Sequence, residues 1–105
     1  MADTLARLEA TIASRKGADP ASSYVASLFA KGRPKIARKF GEEAVEAIVA
    51  ALAEDEAALT GEAADTIFHL MILLADAGVP LANVLAELER REGISGHDEK
   101  ASRPV

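Results

Sequence analysis

The sequence predicts an all-α fold, an antiparallel helical bundle built around one long hairpin, and three observations carry that expectation. Half of the 105 residues are hydrophobic but only 4% are aromatic, and with alanine dominating, this composition suits closely packed helices better than a sandwich or barrel. Glycine and proline punctuate the chain at intervals of helix length. Between these breakers, apolar residues recur at helical spacing. The length sets a single domain, residues 1–105, near the lower limit for a self-sufficient core, so size alone leaves room for a partner subunit.

A first helix is expected from about Thr4 to Ser14, with Asp3 or Thr4 as N-cap, an apolar stripe of Leu5, Leu8 and Ile12, and an end near Gly17. Asp19-Pro20 reads as the start signal of a short second helix over Ser22 to Ala30, which carries Tyr24, Val25, Leu28 and Phe29 and stops at Gly32. Pro34 fits the first turn of a third helix running to about Ala53, and Glu54-Asp55 is the expected turn. The fourth helix follows from about Glu56 to Ala77, with Gly61 as a weak point and Gly78 as its C-terminal stop. Pro80 opens the fifth, which passes through Leu81, Val84, Leu85 and Leu88 to Arg90-Arg91 and closes at Gly93. Residues Ile94 to Val105 read as a polar tail.

Composition also excludes. A net charge of −5 argues against general nucleic-acid binding, which needs a basic surface. The absence of cysteine removes disulfides, thiolate zinc sites and cysteine nucleophiles. The N-terminus lacks a signal-peptide pattern, and the longest apolar run, Leu70 to Ala75, is far shorter than the roughly 20 residues that span a bilayer. A soluble, cytoplasmic protein without membrane partners is the expectation.

Two acidic pairs carry the functional signal, Glu43-x-x-Glu46 in the third helix and Glu62-x-x-Asp65 in the fourth. On a helical wheel Ile36, Phe40, Ala44, Ala47 and Ala51 define an apolar face into which Glu43 falls, with Glu46, Lys35 and Lys39 at its border. Burying an unpaired carboxylate costs on the order of several kcal/mol, so Glu43 requires a partner. In the fourth helix Ile67 to Ala75 is apolar apart from His69 and is expected to be buried nearly all round, while Glu62, Asp65, Thr66, His69 and Asp76 share one stripe. Measured from a turn at Glu54-Asp55, Glu46 and Glu62 stand at about 10 Å and Glu43 and Asp65 at about 15 Å, using 1.5 Å rise per residue. An antiparallel hairpin therefore brings both pairs to one level. Carboxylates gathered in this way call for a divalent cation, and all-oxygen ligation favours Mg²⁺, with Mn²⁺ as its substitute, over zinc.

A ferritin-like di-iron site needs Glu-x-x-His pairs, and neither His69 nor His97 has Glu three residues earlier. EF-hand and Walker loops are absent from the sequence. Lys31, Arg33, Lys35, Arg38 and Lys39 form a basic cluster beside the first acidic pair. Cations next to a metal cluster suit a polyphosphate substrate, the metal neutralising some oxygens while Lys35, Lys39 and Arg33 hold others. Either Glu42 or Glu46 is placed to act as general base. His69 is read both as a satisfied core residue and as a group that orders a ligand or contacts substrate.

These residues resemble a known family, the phosphoribosyl-ATP pyrophosphohydrolases of the all-α nucleoside triphosphate pyrophosphohydrolase superfamily. The resemblance runs from Ser23-Tyr24 through Lys31-Gly32, Lys39-Phe40-Gly41-Glu42-Glu43-Ala44-Val45-Glu46 and Glu62-Ala63-Ala64-Asp65-Thr66-Ile67-Phe68-His69 to the Ser95-Gly96 to Arg103 segment. Phe68 stands where that branch often has Tyr. The resemblance implies Mg²⁺-dependent hydrolysis of phosphoribosyl-ATP to phosphoribosyl-AMP and pyrophosphate in histidine biosynthesis, a stand-alone enzyme and a homodimer. It also implies substrate contacts from Lys31, Lys100 and Arg103. A house-cleaning pyrophosphohydrolase acting on dUTP, dCTP or a damaged nucleotide, and a non-catalytic helical adaptor, are the competing readings of the acidic pairs.

Overall fold

The computed structural model describes residues 2–103, with side chains from residue 4 onward, so the tail residues Pro104 and Val105 lie outside the described positions, while Asp3 and Thr4, expected as the N-cap of the first helix, lie inside that helix instead. Within those residues the elements in chain order are α1 (Ala2–Ser14), α2 (Tyr24–Lys31), α3 (Arg33–Ala53), α4 (Glu56–Ala77), α5 (Leu81–Arg90) and α6 (Gly96–Ser102), and the described residues contain no strand. The all-α expectation holds.

Most boundaries follow from local chemistry. Asp55 closes the hairpin turn and caps α4 by accepting from the Ala58 N–H at 2.9 Å, a bond whose loss typically costs about 1 kcal/mol. Gly78, at φ +72°, ends α4 in the left-handed conformation, and the Val79 N–H reaches back to the Leu74 carbonyl at 2.9 Å. Pro80 offers α5 no side-chain cap. Glu9 of α1 supplies one from a distance, its carboxylate accepting from the Leu81 N–H at 2.7 Å.

Three further expectations are corrected. Asp19-Pro20 does not start a helix: Asp19 folds its own turn, accepting from the Ala21 N–H at 3.0 Å, and Ser23 is the residue that caps α2 through the Ala26 N–H at 3.1 Å. The inward stripe of α3 ends on Ala50 rather than Ala51, because Ala50 is buried and Ala51 exposed. The tail folds as α6, with Ser95 as N-cap accepting from the Asp98 N–H at 3.0 Å.

The buried core is Ile12, Leu28, Ile36, Met71, Ile72 and Leu81. Every one of these residues lies at the open end of the α3–α4 hairpin, where α1, α2 and the start of α5 cover it. The half nearer the turn buries Ala50 but has a bare outer face: Val45, Ile48, Val49 and Leu52, spaced as one face of α3, are exposed, Leu52 to 84%. Ile67 of α4 is exposed as well, so this helix is not buried all round as its apolar run suggested. Length and composition would let Glu56–Ala77 cross a membrane, yet here it is one arm of the hairpin, bearing Glu62 and Asp65 and packed on α3 and α1.

Candidate active site

Hairpin register sets the site. The Thr66 hydroxyl of α4 reaches the Glu43 carbonyl of α3 at 3.1 Å, and ten residues earlier on α3 the Arg33 guanidinium meets the Asp76 carboxylate at 2.8 Å, ten residues later on α4. The two helices thus keep one register over about 15 Å. That register agrees to within a residue with the pairing of Glu43 and Asp65 expected from the turn.

Carboxylate oxygens of Glu43, Glu62 and Asp65 come within 4.8 Å of one another. Glu43 is buried, at 8% exposure, although its sequence neighbour Glu42 is exposed. One oxygen of Glu43 and one of Glu62 are buried without any hydrogen-bond partner. Burial raises the Glu43 pKa above the usual carboxylate range, and the adjacent Glu46 carboxyl pushes it the same way, against smaller opposing effects from His69 and Lys39. Lys39 stands 3.7 Å from Glu43. A cluster holding two orphaned buried oxygens is short of positive charge, and an oxygen-ligated divalent cation fits that shortfall.

The other residues singled out by sequence fall in different places. Glu46 is exposed, near enough to Glu43 to raise its pKa but outside the converging three. Arg33 is engaged at the far end of the hairpin, bonding both the carboxylate and the carbonyl of Asp76. Lys31 is exposed and Lys35 half-buried on the approach to the cluster. His69 is buried with both ring nitrogens used: Nδ1 lies 2.7 Å from the Asp65 carbonyl and Nε2 lies 2.8 Å from the Tyr24 hydroxyl. Its core bonding therefore leaves no nitrogen open to a ligand in this conformation.

Lys100 sits within α6 and is exposed. Arg103, at the end of that helix, turns toward Glu99 at 3.5 Å. Glu99 is buried and is also held by Arg90 at 2.8 Å, with Arg91 at 3.7 Å. Spacing alone did not reveal this node, but Ser95 followed three residues later by Asp98 is a helix-start pattern that marks α6.

A helical hairpin with paired acidic motifs on its facing arms places the molecule in the class to which its sequence pointed, the all-α pyrophosphohydrolases. Comparison with known proteins makes this particular. Residues 5–92 match the Phosphoribosyl-ATP pyrophosphohydrolase family, and the chain belongs to it. It is 67% identical over 104 residues to a phosphoribosyl-ATP pyrophosphatase of Rhizorhabdus wittichii, covering 99% of this chain and 98% of the relative. A protein of the same name from Dinoroseobacter shibae is 69% identical over 94% of this chain and 97% of its own length. For that of Zymomonas mobilis the figures are 59%, 97% and 95%.

Proposed function

We propose that this protein hydrolyses phosphoribosyl-ATP to phosphoribosyl-AMP and pyrophosphate, as a cytoplasmic enzyme of histidine biosynthesis. Family membership and the names of near full-length relatives support the substrate. The observation that carries the chemistry is the convergence of Glu43, Glu62 and Asp65 with two unpartnered buried oxygens.

Those three carboxylates would hold Mg²⁺, or Mn²⁺ in its place, with Glu46 completing the set. When bound, the ion supplies charge neutralisation for the phosphate oxygens and a lowered pKa for an attacking water. Lys39, ion-paired with Glu43, stands beside the cluster where it would hold a phosphate oxygen. Lys35 lies one turn earlier on α3 and extends that positive track toward Lys31. Glu46, which acts on the charge of Glu43, would take the proton of the attacking water in preference to Glu42, which acts on Lys39 and Tyr24. Arg33 contributes by locking the open end of the hairpin through Asp76, and Lys100 and Arg103 bring α6 toward the substrate.

The working form is a homodimer. A radius of gyration of 15.7 Å exceeds the roughly 13 Å expected of a compact chain of this length, and the bare apolar face of α3 is the surface a second copy would cover.

The assay is pyrophosphate release from phosphoribosyl-ATP with and without Mg²⁺. Metal-dependent release is expected, with little activity on dUTP or dCTP. Full activity in excess chelator would overturn the metal role, and a preference for the simple nucleoside triphosphates would overturn the substrate.

A further inference from the structure

The backbone around the carboxylate cluster is held by uncharged side chains. Thr66 Oγ1 donates to the Glu62 carbonyl at 2.7 Å and lies 3.1 Å from that of Glu43, so one hydroxyl ties together two of the three converging residues. The third, Asp65, is tied by His69. A carbonyl oxygen only accepts, so Nδ1 of His69 must carry the proton in its 2.7 Å bond to Asp65. In the neutral ring Nε2 is then a pure acceptor, and the partner 2.8 Å away, the Tyr24 hydroxyl, must donate.

With the ring neutral, the donors run in one direction, from Tyr24 to His69 to Asp65. The ring of His69 has little freedom: it is 5% exposed and meets both Phe68 and Tyr24 edge to face. Tyr24, at 50% exposure, has half its surface open to solvent while its hydroxyl is committed inward. It opens α2, a helix that otherwise contributes no side chain to the cluster. An exposed tyrosine on an adjoining helix need not reach 45 residues along the chain to satisfy a histidine, since water or a carbonyl would serve.

We propose that Tyr24 is a positioning residue for the hydrolytic reaction, acting through His69 to fix the turn of α4 that presents Asp65 beside Glu43 and Glu62. This rests on the function proposed above, and deepens it by assigning how the ligand geometry is maintained. The outer carboxylates of a metal site work only if their backbone cannot drift, because a divalent cation of Mg²⁺ size tolerates little error in ligand distance. Thr66 supplies that restraint within the hairpin, and Tyr24 supplies it from outside.

Tyr24→Phe keeps the ring and removes only the hydroxyl. Mn²⁺ binding to the nucleotide-free protein, followed by the loss of the free ion's EPR signal, is expected to weaken about three- to tenfold, in line with one outer hydrogen bond to a ligand. Half-saturating Mg²⁺ in the assay should rise by a similar factor and kcat should fall, with the nucleotide KM little changed. His69→Gln and His69→Leu form the second test, since the glutamine amide can still donate to Asp65 and accept from Tyr24. Mn²⁺ affinity should fall in the order wild type, glutamine, leucine.

Wild-type Mn²⁺ affinity in Tyr24→Phe, or equal affinities in the two His69 variants, would overturn the proposal. Should Tyr24→Phe not fold, the His69 pair decides. The Mn²⁺ measurement needs no substrate, so a wild-type protein that binds the ion but leaves phosphoribosyl-ATP intact would overturn the proposed function instead.

Discussion

Glu43 is where local chemistry and function conflict. It occupies an inward position that Ile36 and Ala50 fill elsewhere on α3, and it carries a buried oxygen without a partner. Glu43→Gln removes the charge and nearly preserves the shape. In metal-free protein this variant is expected to melt at a higher temperature than wild type, since the buried carboxylate with one unpartnered oxygen gives way to a neutral amide, while Mg²⁺-dependent turnover falls by at least about 100-fold, the scale typical of lost charge stabilisation. Parallel melting and pyrophosphate assays check both. A lower melting temperature together with retained turnover would show that Glu43 is an ordinary packed residue. Sequence made this conflict legible, because a charge on an apolar wheel face needs no structure to be noticed. The roles of Tyr24 and Thr66 were not legible, since a hydroxyl bonded across 45 or 23 residues leaves no periodic trace.

Helix boundaries were readable wherever a breaker or cap enforces them. α4 spans Glu56–Ala77 as expected because Asp55 and Gly78 each satisfy orphaned backbone groups at its ends. The short elements were less readable: Asp19-Pro20 resembles a cap but closes a turn, and α6 hides in a polar segment because an ion cluster, not apolar area, docks it. Arg90, Arg91 and Arg103 surround buried Glu99, and Glu87 bonds Arg90 at 2.7 Å and Arg91 at 2.9 Å. These arginines hold Glu99 below the usual carboxylate range and Glu87 at about 2. A depressed carboxylate stabilises the fold above its unfolded pKa, near 4.5, and that contribution is lost as pH falls through the folded value. The docking of α6 through Glu99 is therefore expected to be intact at neutral pH and to loosen as pH falls below about 4.5 toward the depressed folded value of Glu99. Amide resonances of residues 97–102 followed through that range, and their faster hydrogen exchange at neutral pH in Glu99→Gln, check this. An α6 insensitive to both would mean that other contacts hold it.

At the scale of the molecule the uneven core dominates. One end of the hairpin is wrapped by α1, α2 and α5, and the other shows Ile48, Val49 and Leu52 to solvent. Ile48→Glu places a charge in the middle of that face, and light scattering is expected to find the proposed dimer for the wild type and a monomer for the variant. An unchanged mass would place the dimer contact elsewhere. The exposed face could be anticipated only in part, because helical periodicity locates apolar residues without saying which of two stripes the chain itself covers. The carboxylates lie at the seam between the two ends, and this has a consequence for how damage travels. The wrapped end holds the buried apolar cluster, and the turn end extends from it as a pair of helical levers packed on each other. A change near Glu54 and Asp55, remote from every ligand, would splay the levers and move Glu43 away from Glu62. Loss of chemistry from such a change would look like a broken site while every residue of the site was intact.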